Sequence, residues 1–212
     1  AQGRNPDQLQ AAVKALSELG QEVVLADELG LIRRWWAIGT FDNTNSEHFN
    51  TAYLPEQTYE KEGRLPATWL KDSATVIPAA DKREPVKTSL VKSDDFQGVV
   101  SINPAFNNAK DAIAYVYVEF DLPKESSSET INAVARLGCI TASKVWVNGK
   151  LAMANEVYHS GTRIDQYLGD CTLKPGRNSV LIKLCQNAQT EPWAQDWQFQ
   201  FRITDPVGGA IK

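Results

Sequence analysis

Two groups of aromatic and polar residues lie in segments that lack a strand or helix pattern. Trp193 belongs to the first group and precedes a strand-like run. An indole held in a loop has no packing role, whereas the C–H face of a sugar ring buries well against it while amides and carboxylates bond the hydroxyls. Trp193 is therefore our first candidate for a sugar-stacking platform. Polar residues that could complete this site are Gln195, Asp196, Asn187 and Gln189.

The second group follows an Asn-Gly turn and consists of Tyr158, His159, Arg163 and Asp165. Its rings and charges suit the same kind of polar ligand. Two structural alternatives stay open. Arg163 and Asp165 could pair and fix their own loop, and His159 could be a turn residue.

The sequence carries no motif of hydrolytic or nucleotide-dependent catalysis. A G-x-S-x-G elbow, a metalloprotease helix, a P-loop and a dinucleotide fingerprint are all absent. Paired acids stay open, because a glycosidase needs only two carboxyl groups at a suitable separation and the chain has 26 acidic residues. We predict that the chain is not an enzyme, with a small glycosidase as the least favoured alternative.

Metal binding has little support in the sequence. The two histidines, His48 and His159, are far apart and lack a ligand cluster, which disfavours zinc. A group of oxygen-bearing residues could contribute to a structural calcium site, but it lacks EF-hand spacing, and a solvated loop is the favoured interpretation. This group is Asp42, Asn43, Asn45 and Glu47. We predict no cofactor, with structural calcium weakly supported.

The first 30 residues differ from the rest of the chain. Asn5 suits a helix N-cap, Pro6 the first helical position, and Gly20 the position after the helix end. We expect residues 1–30 to form a helix and linker, with the tail of a helical region as one interpretation, and residues 31–212 to form one domain. The apolar face of this helix must bury against that domain or against a missing neighbour. Its residues are Leu9, Val13, Leu16 and Leu19.

From Ile32 onward, short apolar alternations separated by polar, Pro-bearing and Gly-bearing connections predict an all-β fold. About eleven antiparallel strands close naturally as a two-sheet jelly-roll sandwich. The polar stretch from Asp42 to Arg64 is too long for a hairpin and is predicted as a long loop. We predict strands at 32–39, 67–70, 86–91, 98–102, 112–121, 131–140, 144–147, 150–157, 169–173, 179–186 and 197–204.

The most specific local signal is the hairpin Lys144–Lys150, whose Asn-Gly pair specifies a type I′ turn because both central residues need positive φ. A second strand-like run, Leu173–Lys183, contains a Pro-Gly turn. Along the closing strand, Trp197, Phe199, Phe201 and Ile203 alternate with polar residues and should face the core.

Together these runs resemble the galactose-binding-like jelly-roll domains related to the sugar-binding domain of family-two glycoside hydrolases, as found in secreted multidomain bacterial proteins. Further segments are similar in order, and the similarity extends from about Leu31 to the end. The chain departs from the family at Cys139–Ser143, where relatives commonly carry an Asp-Asp-Gly turn. The other similar segments are Trp35–Asn43, Phe49–Glu56, Ala112–Val118 and Trp197–Asp205.

Composition limits the remaining function classes. A net charge of -4 gives no basic footprint for nucleic acid or an anionic membrane. The three cysteines form no C-x-x-C pair, so they could be free or include one disulfide. From the resemblance we expect an extracellular or periplasmic, noncatalytic carbohydrate-binding module of a larger exported protein, with neighbouring domains as further partners. The alternative is a structural or protein-interaction sandwich that binds no sugar.

Overall fold

Apolar alternation after the first 30 residues produces two antiparallel sheets. The computed structural model describes residues 5–21, 23–78, 84–122 and 130–211, with the side chain of Trp193 excepted. Within these ranges eleven strands confirm the predicted all-β sandwich. The strands are β1 Arg34–Asp42, β2 Thr75–Ile77, β3 Val86–Lys92, β4 Val100–Ser101, β5 Ala112–Leu122, β6 Ile131–Cys139, β7 Ala142–Val147, β8 Lys150–Asn155, β9 Tyr167–Leu173, β10 Gly176–Gln186 and β11 Gln198–Thr204.

The large sheet has the order β2-β3-β1-β5-β10-β7-β8, and the small sheet has the order β4-β11-β6-β9. A continuous apolar core fills the space between them. Trp35 lies at its centre, with its ring edge-to-face against Phe199 at 5.3 Å and Phe201 at 5.6 Å. The four alternating residues of the closing strand are all buried, as predicted. Paired aromatic rings at such distances add to the stabilisation that burial supplies.

The Asn-Gly hairpin forms as expected. Asn148 has a φ of 50° and Gly149 a φ of 82°, which fit a type I′ turn, and Val147 pairs with Lys150 across it. Two local predictions were wrong. The predicted strand at 67–70 consists of turns, and the short strand β2 was missed because its three residues carry too little pattern.

A helix and the polar segment around it cover the outer face of the large sheet. The predicted long loop between Asp42 and Arg64 contains the helix α3, Leu54–Glu62, which the polar composition concealed. Beneath it lies a second apolar cluster, in which the hydroxyl of Tyr59 donates to the carbonyl of Ser179 at 2.8 Å. Trp146 belongs to this cluster and donates its indole N–H to Glu60 Oε1 at 2.9 Å.

Lys183 bonds the segment around α3, the cover of this face, to the large sheet. It is fully buried on β10, and its Nζ donates to the carbonyls of Phe49 at 2.8 Å and Thr51 at 2.7 Å, and to Glu56 Oε2 at 3.2 Å. Tyr115 donates to the same Glu56 oxygen at 2.8 Å. Burial lowers the pKa of Lys183, while the neighbouring carboxylate of Glu56 opposes that shift. A buried charge of this kind persists only when paired and fully hydrogen-bonded.

The outer face of the small sheet is covered in part by α1, Pro6–Glu18, and α2, Leu25–Leu29. Asn5 caps α1 as predicted, since its Oδ1 accepts from the backbone N–H of Asp7 at 2.9 Å. Val13 packs in a buried cluster with residues of α2, and Ile164 from the sandwich packs against that cluster. The predicted apolar stripe therefore packs on the domain, although its last member, Leu19, is 77% exposed.

Three further observations bear on the sequence predictions. All three cysteines are free. None of the described helices is long and apolar enough to cross a membrane. Among the described residues, no group of three or more His, Cys, Asp or Glu side chains could hold a metal ion.

Candidate functional site

Because segments of the chain cover both outer sheet faces, the ends of the strands and the covers themselves are the places where a ligand could bind. We call the end formed by the segments 42–43, 103–111, 156–160 and 187–197 the loop end. The Asn148–Gly149 turn marks the opposite end. β10 spans 11 residues between them, which corresponds to roughly 35 Å.

At the loop end, Asn43 joins two distant parts of the chain. It is fully buried directly after β1, and its Nδ2 donates to the carbonyl of Gln186 at 2.9 Å and to the hydroxyl of Tyr158 at 3.1 Å. Burial is the main cause that raises the pKa of Tyr158, so its phenol stays neutral and keeps a proton to donate.

Gln186 then connects this group with the segment before β11. Its Nε2 donates to the carbonyl of Asp196 at 3.3 Å, and its Oε1 accepts from the backbone N–H of Asn187 at 3.1 Å. Asn103 supports the same segment by donating to the carbonyl of Gln195 at 2.9 Å. The network therefore holds 187–197 against the strand ends through side-chain amides.

Two rings lie side by side on this network. The centroids of the Tyr158 and His159 rings are 6.3 Å apart, with an angle of 39° between their planes. His159 Nε2 lies 2.8 Å from Asn187 Oδ1, a distance that fits a hydrogen bond donated by the imidazole. The ring is thus oriented by the same amide-rich segment.

Three side-chain oxygen atoms at the loop end could accept further hydrogen bonds. Asn43 Oδ1, Asn103 Oδ1 and Asp111 Oδ1 are buried without a hydrogen-bond partner among the described residues. Such atoms are uncommon in native proteins, where most buried polar atoms bond to protein or ordered water.

The structure places the first predicted group only in part. Trp193 lies in a short 3-10 turn, Pro192–Ala194, but its side chain lies outside the described residues. The carboxylate of Asp196 is exposed, whereas the Gln195 side chain donates to the carbonyl of Thr190 and so holds its own loop.

The second predicted group is divided between two places. Tyr158 and His159 lie at the loop end, but Arg163 and Asp165 line a cavity beneath α1 on the small sheet. The proposed Arg163–Asp165 pair was wrong, because Asp165 bonds instead to Arg202 Nε at 2.8 Å and to Arg136 Nη1 at 3.2 Å. These arginines come from β11 and β6, so neither partner could be recognised from the local sequence.

The oxygen-bearing group after β1 does not converge on one point. Asp42 Oδ1 accepts from the backbone N–H of Thr44 at 3.0 Å and from its hydroxyl, while the amide of Asn43 binds Gln186 and Tyr158. The two hydrogen bonds from Thr44 are the main cause that lowers the pKa of Asp42. This arrangement is a side-chain turn that shapes the loop.

Sequence reasoning missed Asn103 and Gln186 as members of the site. Gln186 contacts Asn43 across 143 positions and Asn103 reaches Gln195 across 92. Their only sequence signal is an amide at the end of a strand or in a turn, which is common in ordinary loops.

Comparison with known proteins leaves the family open. No protein-family model matches the chain, and no curated protein matches it. Solved structures do match. They include the β-glucuronidase of Ruminococcus gnavus, with a TM-score of 0.45, 15% identity and coverage of 83% of this chain and 28% of that one.

Two further neighbours extend the comparison. A β-glycosidase from Bacteroides vulgatus matches with a TM-score of 0.41, 15% identity and coverage of 83% and 20% of the two chains. An anti-sigma factor domain-containing protein from Clostridium clariflavum matches with a TM-score of 0.39, 11% identity and coverage of 62% and 40%. This chain spans less than half the length of each neighbour.

Proposed function

We propose that this chain is a noncatalytic carbohydrate-binding module of a larger exported protein, and that its ligand binds at the loop end. The observation that carries the proposal is the pair of rings at Tyr158 and His159, held on a network of side-chain amides beside the exposed carboxylate of Asp196. Export and the larger parent protein are proposed from the sequence resemblance alone.

The chemistry of this end suits a ligand rich in hydroxyl groups. The Tyr158 phenol accepts from Asn43, and its own proton can go to a sugar hydroxyl. The carboxylate of Asp196 can accept from sugar hydroxyls, and the ring faces can bury sugar C–H groups. Trp193, in the same segment, is the proposed stacking platform.

The location follows from what the sandwich leaves open. α3 and its flanking segments cover the large sheet, and α1 and α2 cover part of the small one. A sugar therefore cannot lie flat on the outer strand surfaces that these segments cover. The proposed site is therefore at the loop end, where several connections meet.

A glycan array with the purified chain tests this function, with and without calcium. Trp193→Ala and Tyr158→Ala should each abolish the signal for bound glycans. Phe96→Ala is the matched control, because Phe96 is an aromatic residue that is 46% exposed outside the loop end. Binding that survives both site variants, or that is lost equally in the control, would contradict the proposed site.

One observation favours the alternative of a structural or protein-interaction module. Leu151 on the edge strand β8 is 54% exposed and Leu168 on the edge strand β9 is 56% exposed. Exposed leucines on sheet edges suit contact with a neighbouring domain of the same parent protein. A folded chain that binds no glycan on the array would support this function.

A further inference from the structure

The cavity beneath α1 has a volume of about 600 Å³ and lies apart from the rings of the loop end. Helix α1 supplies one wall through Asn5, Asp7 and Gln10. The outer face of the small sheet supplies the floor, which includes Arg136 and Gln200. A cavity of this size can hold one or two sugar rings.

Positive charge is in excess beneath this cavity. The side chains of Arg202 and Arg136 are 1% and 15% exposed, and both bond to the carboxylate of Asp165, which is 11% exposed. Two guanidinium groups thus share a single, largely buried carboxylate. Buried charge is costly unless it is balanced, so an anionic group in the cavity would stabilise this cluster.

Arg163 adds a third cation, at the edge of the same cavity. Its side chain is exposed, and it has no ion pair among the described residues. Its backbone is fixed, because its carbonyl lies so close to β6 that a Cβ at Gly138 would stand 2.4 Å from it. The glycine permits this approach and places Arg163 at the cavity.

Neutral groups complete a polar lining. Gln200 is 3% exposed and donates its amide N–H to the carbonyl of Gln97 at 2.6 Å, an interaction that orients its side chain along the cavity wall. One acidic side chain, Asp7, also lines the cavity, from the first turn of α1. It is the only described carboxylate there besides the doubly paired Asp165.

We propose that this cavity is a second subsite that binds the carboxylate of an acidic sugar residue. Arg163 and Arg136 bind the carboxylate, and Gln200 bonds the ring hydroxyls. Guanidinium groups bind carboxylates strongly and with defined geometry, which gives the subsite selectivity for charge. This inference rests on the proposed function and names the substrate class for a site separate from the loop end.

The test measures binding of oligogalacturonate, oligoguluronate and sialyllactose, each beside its methyl ester. We expect an acidic ligand to bind at least about tenfold more tightly than its ester, since the ester removes a charge-assisted contact. Arg163→Ala should lose a similar factor. Arg64→Ala is the control, because Arg64 is also exposed and lies outside the cavity.

Hydrogen exchange adds a readout of location, because the acidic ligand should increase protection in α1 and leave α3 unchanged. Equal binding of acid and ester, or no effect of Arg163→Ala, would overturn the inference. Inorganic phosphate that binds as tightly as the sugars would show a site for small anions instead. Neutral glycans that bind while every acidic one fails would overturn this subsite alone, whereas silence of both would also overturn the proposed function.

Discussion

The two outer faces of the sandwich are both covered by helical segments, but the covers differ in what they enclose. Beneath α3 lie aromatic rings and one fully bonded lysine–glutamate pair, Lys183 and Glu56. Beneath α1 lie a polar cavity and two arginines that share Asp165. The packed and fully bonded cover contributes to stability, whereas the cover over the arginines leaves room for a ligand. The difference indicates that α3 is part of the structural core, while α1 borders the cavity that we propose as a second subsite.

The largest effect is predicted for a substitution beneath α3, where Lys183 bonds to the covering segment. Lys183→Met should lower the free energy of unfolding by about 3–5 kcal/mol, because it leaves Glu56 buried without its cation and the carbonyls of Phe49 and Thr51 buried without their donor. Lys144→Met should cost less than about 1 kcal/mol, since the Lys144 bond to Asn50 is exposed. Urea unfolding measures both. Equal losses in the two variants would contradict the assigned role of Lys183.

A smaller effect is expected for the cover over the cavity. Leu29→Ala removes a fully buried side chain between the helices and should cost about 2–3 kcal/mol. Because this cluster is small and separate, the loss should appear first as faster hydrogen exchange in α1 and α2. Exchange that rises equally in β5 and β10 would show that the cover and the sandwich unfold together.

Thiol reactivity should differ between a cysteine buried beneath α3, Cys185, and a partly exposed one, Cys171. Burial raises the pKa of Cys185, beneath the α3 cover, to about 12, and that of the partly exposed Cys171 to about 11. Thiolates react with disulfide reagents, so one thiol per native chain should react slowly at pH 8 and faster as the pH rises towards 11. The Cys171→Ser variant should no longer show this reacting thiol. Rapid labelling of two thiols would contradict the sealed cover.

The smallest expected effect concerns pH at the loop end. The pKa of Asp42 is lowered below its ordinary value of 3.8, mainly by hydrogen bonds from Thr44. A depressed carboxyl pKa stabilises the fold above the unfolded-state value, and this stabilisation is lost as the pH falls through the lower folded-state value. In Asp42→Asn, the free energy of unfolding should therefore fall slightly less steeply as the pH is lowered below 3.8. An unchanged pH dependence of the free energy of unfolding would contradict this role of Asp42.

The sequence predicted what depends on neighbours along the chain. Asn5 caps α1 within three residues, and Asn148 and Gly149 form their turn from their own backbone preferences. The closing strand was readable because every second residue is large and apolar. In each case the physical signal and the structure it specifies lie within one element.

The site was less predictable because its partners are distant in sequence. A pair of Asp165 with Arg163, two positions away, was one of the alternatives left open, but the partners of Asp165 are Arg136 and Arg202, which adjacent strands of the small sheet bring together. Similarly, Gln186 carried no signal until the fold placed it beside Asn43. The sequence shows which residue types are present, but which of them meet in space depends on the order of the strands in the sheets.

Chemical-shift mapping during titration with the neutral glycan that gives the strongest array signal tests the central claim most directly. We predict that the backbone signals of His159, Asn187, Gln195 and Asp196 shift together with one affinity, while those of the Asn148–Gly149 turn stay fixed. Shifts confined to the exposed edges β8 and β9, or an absence of shifts with a folded chain, would contradict a sugar site at the loop end.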